Sequence, residues 1–309
     1  MLVSQRIMFP PMNFRTFAVY SAILSVTLSS PASAETIPNT TLQPSVWLDA
    51  STIELSDGDA VDLWGDISGN ARSAFQADAA RRPVFIEDGG QGFPVVRFNS
   101  ILQPGGSANQ LMRFDGALAN TEDAVLSLYL VSFDPGTRSS ATSRATVVNT
   151  RDNVNTQKGF LFGYSTEGTL LADYAHVSRT HDAGGNTNLQ FTSYAERDLN
   201  LFSLTRTGLT STVETFSDLE NFSTTVNWTG FVPSGLNHTQ IGTEGGSHYF
   251  FGDIAEIIAF EGTALTEEQH LQVVNYLGSK YDIQTIPEPA SGLLACAAGI
   301  GLLIRRRRR

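Results

Sequence analysis

VLSLYLVSF, residues Val125–Phe133, is apolar at nearly every position. A run of this kind is expected to be a central strand covered on both faces. On either side of it the chain repeats short β-prone runs separated by Gly, Asn, Asp, Ser or Pro, with almost no long segment of helical period. Upstream, strands are expected at 46–49, 61–64, 84–86, 95–98 and 111–114. Downstream they are expected at 145–148, 160–164, 170–174, 199–205, 211–216, 224–228 and 250–260. So many strands exceed one small sheet, and two packed sheets solve the edge problem. The expected fold class is all-β, a two-sheet sandwich.

One helix interrupts the pattern. Thr266 is a good N-cap, Gln269 completes a capping box, and Leu271, Val274, Leu277 and Tyr281 recur on one face. The helix is expected to close the sandwich before a linker, 282–286, leads to the C-terminal segment. Neither an internal repeat nor a low-complexity tract is evident, so one domain, 35–283, is the simpler organisation.

Both ends carry targeting signals. Arg6 and Arg15 precede the apolar stretch Phe17–Leu28, and Ala32-Ser33-Ala34 offers the small-x-small pattern of signal peptidase, with cleavage after Ala34. Residues 1–34 therefore read as a signal peptide, whose start is either Met1 or Met12. At the other end, Pro287-Glu288-Pro289 precedes an apolar run, 290–304, and then Arg305, Arg306, Arg307, Arg308 and Arg309. Fifteen residues give about 22 Å of helix, short of the roughly 30 Å of hydrocarbon, so the span is marginal in a bilayer. The arginines would hold its end in the cytoplasm.

Setting aside Arg6, Arg15 and the five terminal arginines from the 20 basic residues, and Glu288 from the 31 acidic ones, leaves 13 and 30, a net charge of −17 on the body. That balance repels nucleic acid and argues against a nucleic-acid partner. Cys296, the single cysteine, lies in the apolar run, so the body has no thiol for a disulfide, a zinc site or nucleophilic catalysis.

The Pro-Glu-Pro triplet, short apolar run and arginine cluster together resemble the PEP-CTERM sorting signal of Gram-negative bacteria, over about the last 23 residues. The resemblance implies an exosortase-type membrane protease as partner, beside signal peptidase and the secretion machinery. It also implies an inner-membrane-anchored intermediate, bound through the C-terminal helix, on the way to the cell surface or an extracellular matrix. The body resembles the concanavalin A-like, laminin-G-like jelly rolls through SVWLDAS (45–51), LWGDISGN (63–70), RRPVF and GFPVVRFNS (81–100), FGDIAEIIAFEGTALTEEQ (251–269) and NYLGSKYDI (275–283). This second likeness implies a non-catalytic, carbohydrate-binding or adhesive module. A secreted glycoside hydrolase or lyase on the same fold and a purely structural matrix component are the alternatives.

Asp253 and Glu256, in DIAE, invite comparison with a retaining carboxylate pair, which needs its carboxyl groups about 5 to 5.5 Å apart. In a regular strand residues three apart face opposite ways, so the pair is not expected to act together. Asp66 and Asn70, in GDISGN, hold oxygens suited to calcium, the one cofactor left open, but an Asx turn placing Gly69 is the preferred reading. Trp47 and Trp64 are expected in the core. His176, His181 and Asp182 are expected in a solvated loop, and Ser178 and Ser193 lack any nucleophile-elbow setting. Within a polar loop expected over 176–198, Phe191 and Tyr194 stand among amides and acids as the preferred ligand-binding residues, because aromatic faces stack on sugar C–H groups.

Overall fold

A computed structural model describes residues 34–89, 92–99, 109–133, 144–151, 158–165, 176–182, 185–191, 199–216, 222–227, 230–243 and 249–285. The expected strand at 170–174, the apolar segment 290–304, the sorting residues Pro287, Glu288, Pro289 and Arg305–Arg309, and Ala32 lie outside them. No helix of the described residues is long and apolar enough to cross a membrane.

Among the described residues there are sixteen strands. They are β1 (Val46–Asp49), β2 (Leu63–Trp64), β3 (Ala74–Phe75), β4 (Val84–Ile86), β5 (Val95–Asn99), β6 (Met112–Asp115), β7 (Val125–Phe133) and β8 (Arg144–Asn149). There follow β9 (Phe160–Ser165), β10 (His176–Asp182), β11 (Gly185–Phe191), β12 (Asn200–Thr207), β13 (Thr210–Phe216), β14 (Phe222–Asn227), β15 (His238–Ile241) and β16 (Phe251–Glu261), and then helix α1 (Glu267–Tyr281). They form two eight-stranded sheets. Sheet A runs β14-β13-β12-β7-β16-β5-β4 with β1 also on β16, and sheet B runs β11-β10-β9-β8-β15-β6-β3-β2. Every named strand pairing is antiparallel.

The VLSLYLVSF run is β7, at the middle of sheet A and buried along seven consecutive positions, 126–132. Its residues divide between two apolar layers. Leu126, Leu128 and Leu130 join Trp64, Phe98, Phe114, Phe162, Phe202 and Ile257 between the sheets, whereas Tyr129 and Val131 join Trp47, Ile258, Val274, Leu277 and Tyr281 under α1. The body is therefore layered as sheet B, sheet A and helix. Trp47 and Trp64 lie in these cores, as expected.

Helix α1 begins with the expected capping box: Thr266 accepts from Gln269 N, and Gln269 Oε1 accepts from Thr266 N. Its docked face runs through Val273, Val274, Leu277, Gly278 and Tyr281. Leu271, expected on that face, is 43% exposed because it falls at the margin of the apolar stripe.

β16 departs from strict alternation. Ile254 faces Ser132 and Glu256 faces Val131, so Ala255 is the extra residue of a β-bulge. The bulge returns Asp253 and Glu256 to one face of the strand, which corrects the expectation that they point apart. Both are only 1% exposed.

Candidate ligand-binding face

The sequence-derived candidates take different places. Asp66 Oδ1 accepts from Trp47 N at 2.9 Å and Ser68 N at 3.0 Å, and Oδ2 accepts from Arg72 N at 2.8 Å. Asn70 Nδ2 donates to the carbonyls of Pro44 and Ser45 and to Ser68 Oγ. Both side chains brace the loop against β1, and both oxygens of Asp66 face amide donors that a cation would have to displace. No grouping of three or more His, Cys, Asp or Glu suited to a metal occurs among the described residues. Gly69 sits at φ +84°, where a Cβ would meet that of Ala34 at 2.5 Å, so the tight turn requires glycine there.

The segment expected to be a polar loop is instead largely β10 and β11, paired from His176↔Phe191 to Asp182↔Gly185. The runs HVSRTHD and GNTNLQF are too polar to signal strands, yet sheet hydrogen bonding does not require apolar side chains. Phe191 ends the edge strand of sheet B, while Tyr194 lies outside the described residues.

Asp253 and Glu256 are committed to internal pairs. Arg97 clamps Asp253 with two contacts of 2.7 Å, Nε to Oδ1 and Nη2 to Oδ2, the fork geometry that favours a charged pair. Glu256 accepts from Trp47 Nε1 at 2.6 Å, Tyr281 Oη at 2.7 Å and Lys280 Nζ at 2.7 Å, and Lys280 also pairs with Asp49. Burial, then the charge of Asp49, pushes the Glu256 carboxyl upward against the pull of Lys280 and Tyr281. The arrangement fastens α1 to sheet A and leaves neither carboxylate open to a substrate.

Across the outer face of sheet B, the register aligns Leu63, Phe75, Arg113, Gln240, Asn149 and Leu161 on six neighbouring strands. Residues directly opposite share a face, and the alternate set, Trp64, Met112, Phe114, Ile241, Val148 and Phe162, fills the core beneath. Leu63 is 57% exposed. The Arg113 guanidinium lies 5.0 Å from the centre of the Phe75 ring. Asn149 Nδ2 donates to Gln240 Oε1 at 3.0 Å, and Gln240 Nε2 is 3.4 Å from His238 Nε2. Burial lowers the pKa of His238, Arg113 lowers it further and Asp115 partly offsets both, so the imidazole is neutral near pH 7. Asn149 and Leu161 are buried, so the open part of the row is Leu63, Phe75, Arg113 and Gln240, which combines an apolar shelf, a stacked guanidinium and an amide. None of these residues stood out in sequence. A strand over most of MRFD was expected, but HTQI was not read as one, and the alignment of strands far apart in the chain was not visible.

By architecture the body is an antiparallel β-sandwich with one docked helix. Among solved structures it is similar to the binding domain of botulinum neurotoxin serotype G, at 11% identity and a TM-score of 0.51, over 75% of this chain and 51% of that one. It is also similar to an arabinofuranosidase complexed with arabinofuranosyl-alpha-1,2-xylobiose, at 14% identity and a TM-score of 0.49, over 72% and 51% of the two chains. A Trypanosoma rangeli sialidase matches at 12% identity and a TM-score of 0.43, over 82% and 37%. The chain thus spans about half or less of the length of these proteins, and the likeness to the neurotoxin domain is one of fold. No protein-family model and no curated protein matches the sequence.

Proposed function

We propose that this chain is an exported, non-catalytic protein of the cell surface or extracellular matrix, whose concanavalin A-like jelly roll binds polysaccharide on the outer face of sheet B. The observation that carries the binding reading is the row Leu63, Phe75, Arg113 and Gln240, held on one face by the strand register. Apolar and aromatic groups take the C–H face of a sugar ring while the guanidinium and amide hold its hydroxyls. The tail supports the export reading through its order, triplet then apolar run then arginines, which an exosortase-type protease would process. A glycan array on the purified chain tests the binding. Phe75→Ala and Arg113→Ala should each weaken the best array ligand by about tenfold. Unchanged binding in both variants would remove the assignment to this face. The mass of the protein recovered outside the cell tests sorting, since the reading requires loss of the segment after the triplet.

A further inference from the structure

We infer that a cleft on the opposite side of the sandwich, where the first turn of α1 overhangs β7, β12 and β13, is a second saccharide site, for a single neutral, hydroxyl-rich ring. The inference shares only its ligand class with the function proposed above, and it rests on different residues. The register sets Ser127, Thr205, Thr212 and Thr225 in one row across four strands of sheet A, one hydroxyl per strand at about 4.8 Å. Thr212 and Thr225 share a hydrogen bond of 2.7 Å. The first three floor a cleft of about 280 Å³ walled by Leu265, Glu267 and His270. That is the small end of ligand clefts and suits one ring rather than a run of several.

The adjoining row supplies a carboxylate in a fixed pose. Glu214 Oε2 accepts from Ser203 Oγ at 2.9 Å and lies 2.8 Å from His270 Nε2. His270 Nδ1 is 2.8 Å from the Tyr129 hydroxyl. Burial, then the charge of Glu214, pushes the Tyr129 phenol upward, so it stays protonated beside the imidazole. Burial tends to raise the Glu214 carboxyl, but the contacts with His270 and Ser203 outweigh it and hold the group below the ordinary carboxylate range. The result is an ionised acceptor beside hydroxyls that can both donate and accept.

The charges around the cleft choose the ligand. Arg206, the one permanently charged cationic side chain among the described residues of the lining, directs its guanidinium to the carbonyls of Ala119, Thr121 and Gly208 and stacks 4.1 Å over the Phe231 ring. It has no reach toward a ligand anion, and Glu214 and Glu267 repel one. Uronates and sulfated sugars are thus excluded, whereas a neutral ring can place vicinal hydroxyls on Glu214 and the threonine row and its C–H face on Leu265.

Titration of the full chain with neutral monosaccharides, gluco- and manno-configured, and with a monomeric uronate tests this. The readout is the imidazole NMR signals of His270, assigned among the five histidines by loss in His270→Gln. A neutral probe should shift them and the uronate should not. Thr212→Val, which keeps the shape of the cleft floor, should weaken that titration by about tenfold, while Phe75→Ala and Arg113→Ala should leave it unchanged. His270 signals that stay still with every neutral probe, or move only with the uronate, would overturn the cleft. If array binding is then still lost in Phe75→Ala, the sheet B face stands without it. A His270 response alongside array binding indifferent to Phe75→Ala has the converse meaning.

Discussion

At Glu256 a carboxylate meets an indole N–H, a phenol and an ammonium while a second carboxylate, Asp49, shares the same lysine. Two acids against one cation under a helix is an unbalanced buried charge, and removing the cation leaves both acids without a countercharge. Lys280→Met should therefore cost about 3 kcal/mol in urea unfolding at pH 7, and less at pH 5, where one acid can take up a proton. Glu256→Gln should behave differently, because the amide oxygen still accepts from one of Trp47 and Tyr281, which use different carboxylate oxygens, and Asp49 retains Lys280. With its carboxyl raised in the folded state, the stability Glu256 contributes is full below its unfolded value of about 4.5 and is lost as pH climbs through the folded one. The stability difference between Glu256→Gln and the parent should accordingly move in favour of the variant between pH 5 and pH 8. A difference that moves the other way would mean that the Lys280 pair, not desolvation, dominates at this site. Backbone approach sets a stricter limit at Gly252, where a Cβ would stand 2.2 Å from the carbonyl oxygen of Phe133. Gly252→Ala should lose about 2 kcal/mol or more by the same unfolding measurement.

Helix α1 is held by three devices of different range: its capping box, the apolar face on Val274 and Leu277, and the polar contacts of His270 and Lys280. Thr266→Ala removes the first and should cost about 1 kcal/mol. The contact of Glu214 with His270 adds a pH term of the sign opposite to that of Glu256. A carboxyl held below its unfolded value contributes stability above pH of about 4.5 and loses it as pH falls through the folded value. Glu214→Gln should thus flatten the acid limb of the stability curve below pH 5, leaving the limb above pH 6 as it is. Of these features the capping box was readable from sequence, because Thr266 and Gln269 lie in one turn. So were the long apolar strands, β7 and β16, whose burial on both faces leaves no polar phase. The bulge at Ala255 was not, since nothing in DIAEII distinguishes an extra residue from a regular one until the partner strand fixes the register. β3, β10, β11 and β15 were missed for a related reason: their runs are short or polar, and their pairing comes from neighbours elsewhere in the chain. The candidate faces follow the same rule. Arg113 and Gln240 are 127 positions apart in sequence and become neighbours only through β6 and β15.

Over the whole body, distant segments close on each other, and charge opposes the closure. β1 pairs with β16, and the Trp47 indole reaches Glu256, 209 residues away. The N-terminal segment contributes Ile37 and Leu42 to the same layer as α1. Both ends of the body thus converge on one side of sheet A, within a chain segment whose net charge is −17. Acidic self-repulsion acts over tens of ångströms in dilute salt and is screened beyond about 8 Å at 0.15 M. The internal pairs Arg97–Asp253 and Lys280–Glu256 are short and mostly buried, so salt weakens them far less than it weakens the long-range repulsion. The melting temperature should therefore rise, by about 2 to 4 °C for each kcal/mol of repulsion relieved, when sodium chloride is increased from about 10 to about 150 mM, a range chosen so that the screening length falls from roughly 30 Å to 8 Å. A melting temperature that falls over this range would show that attraction between charges, rather than their common sign, governs how the two ends of the body are held together.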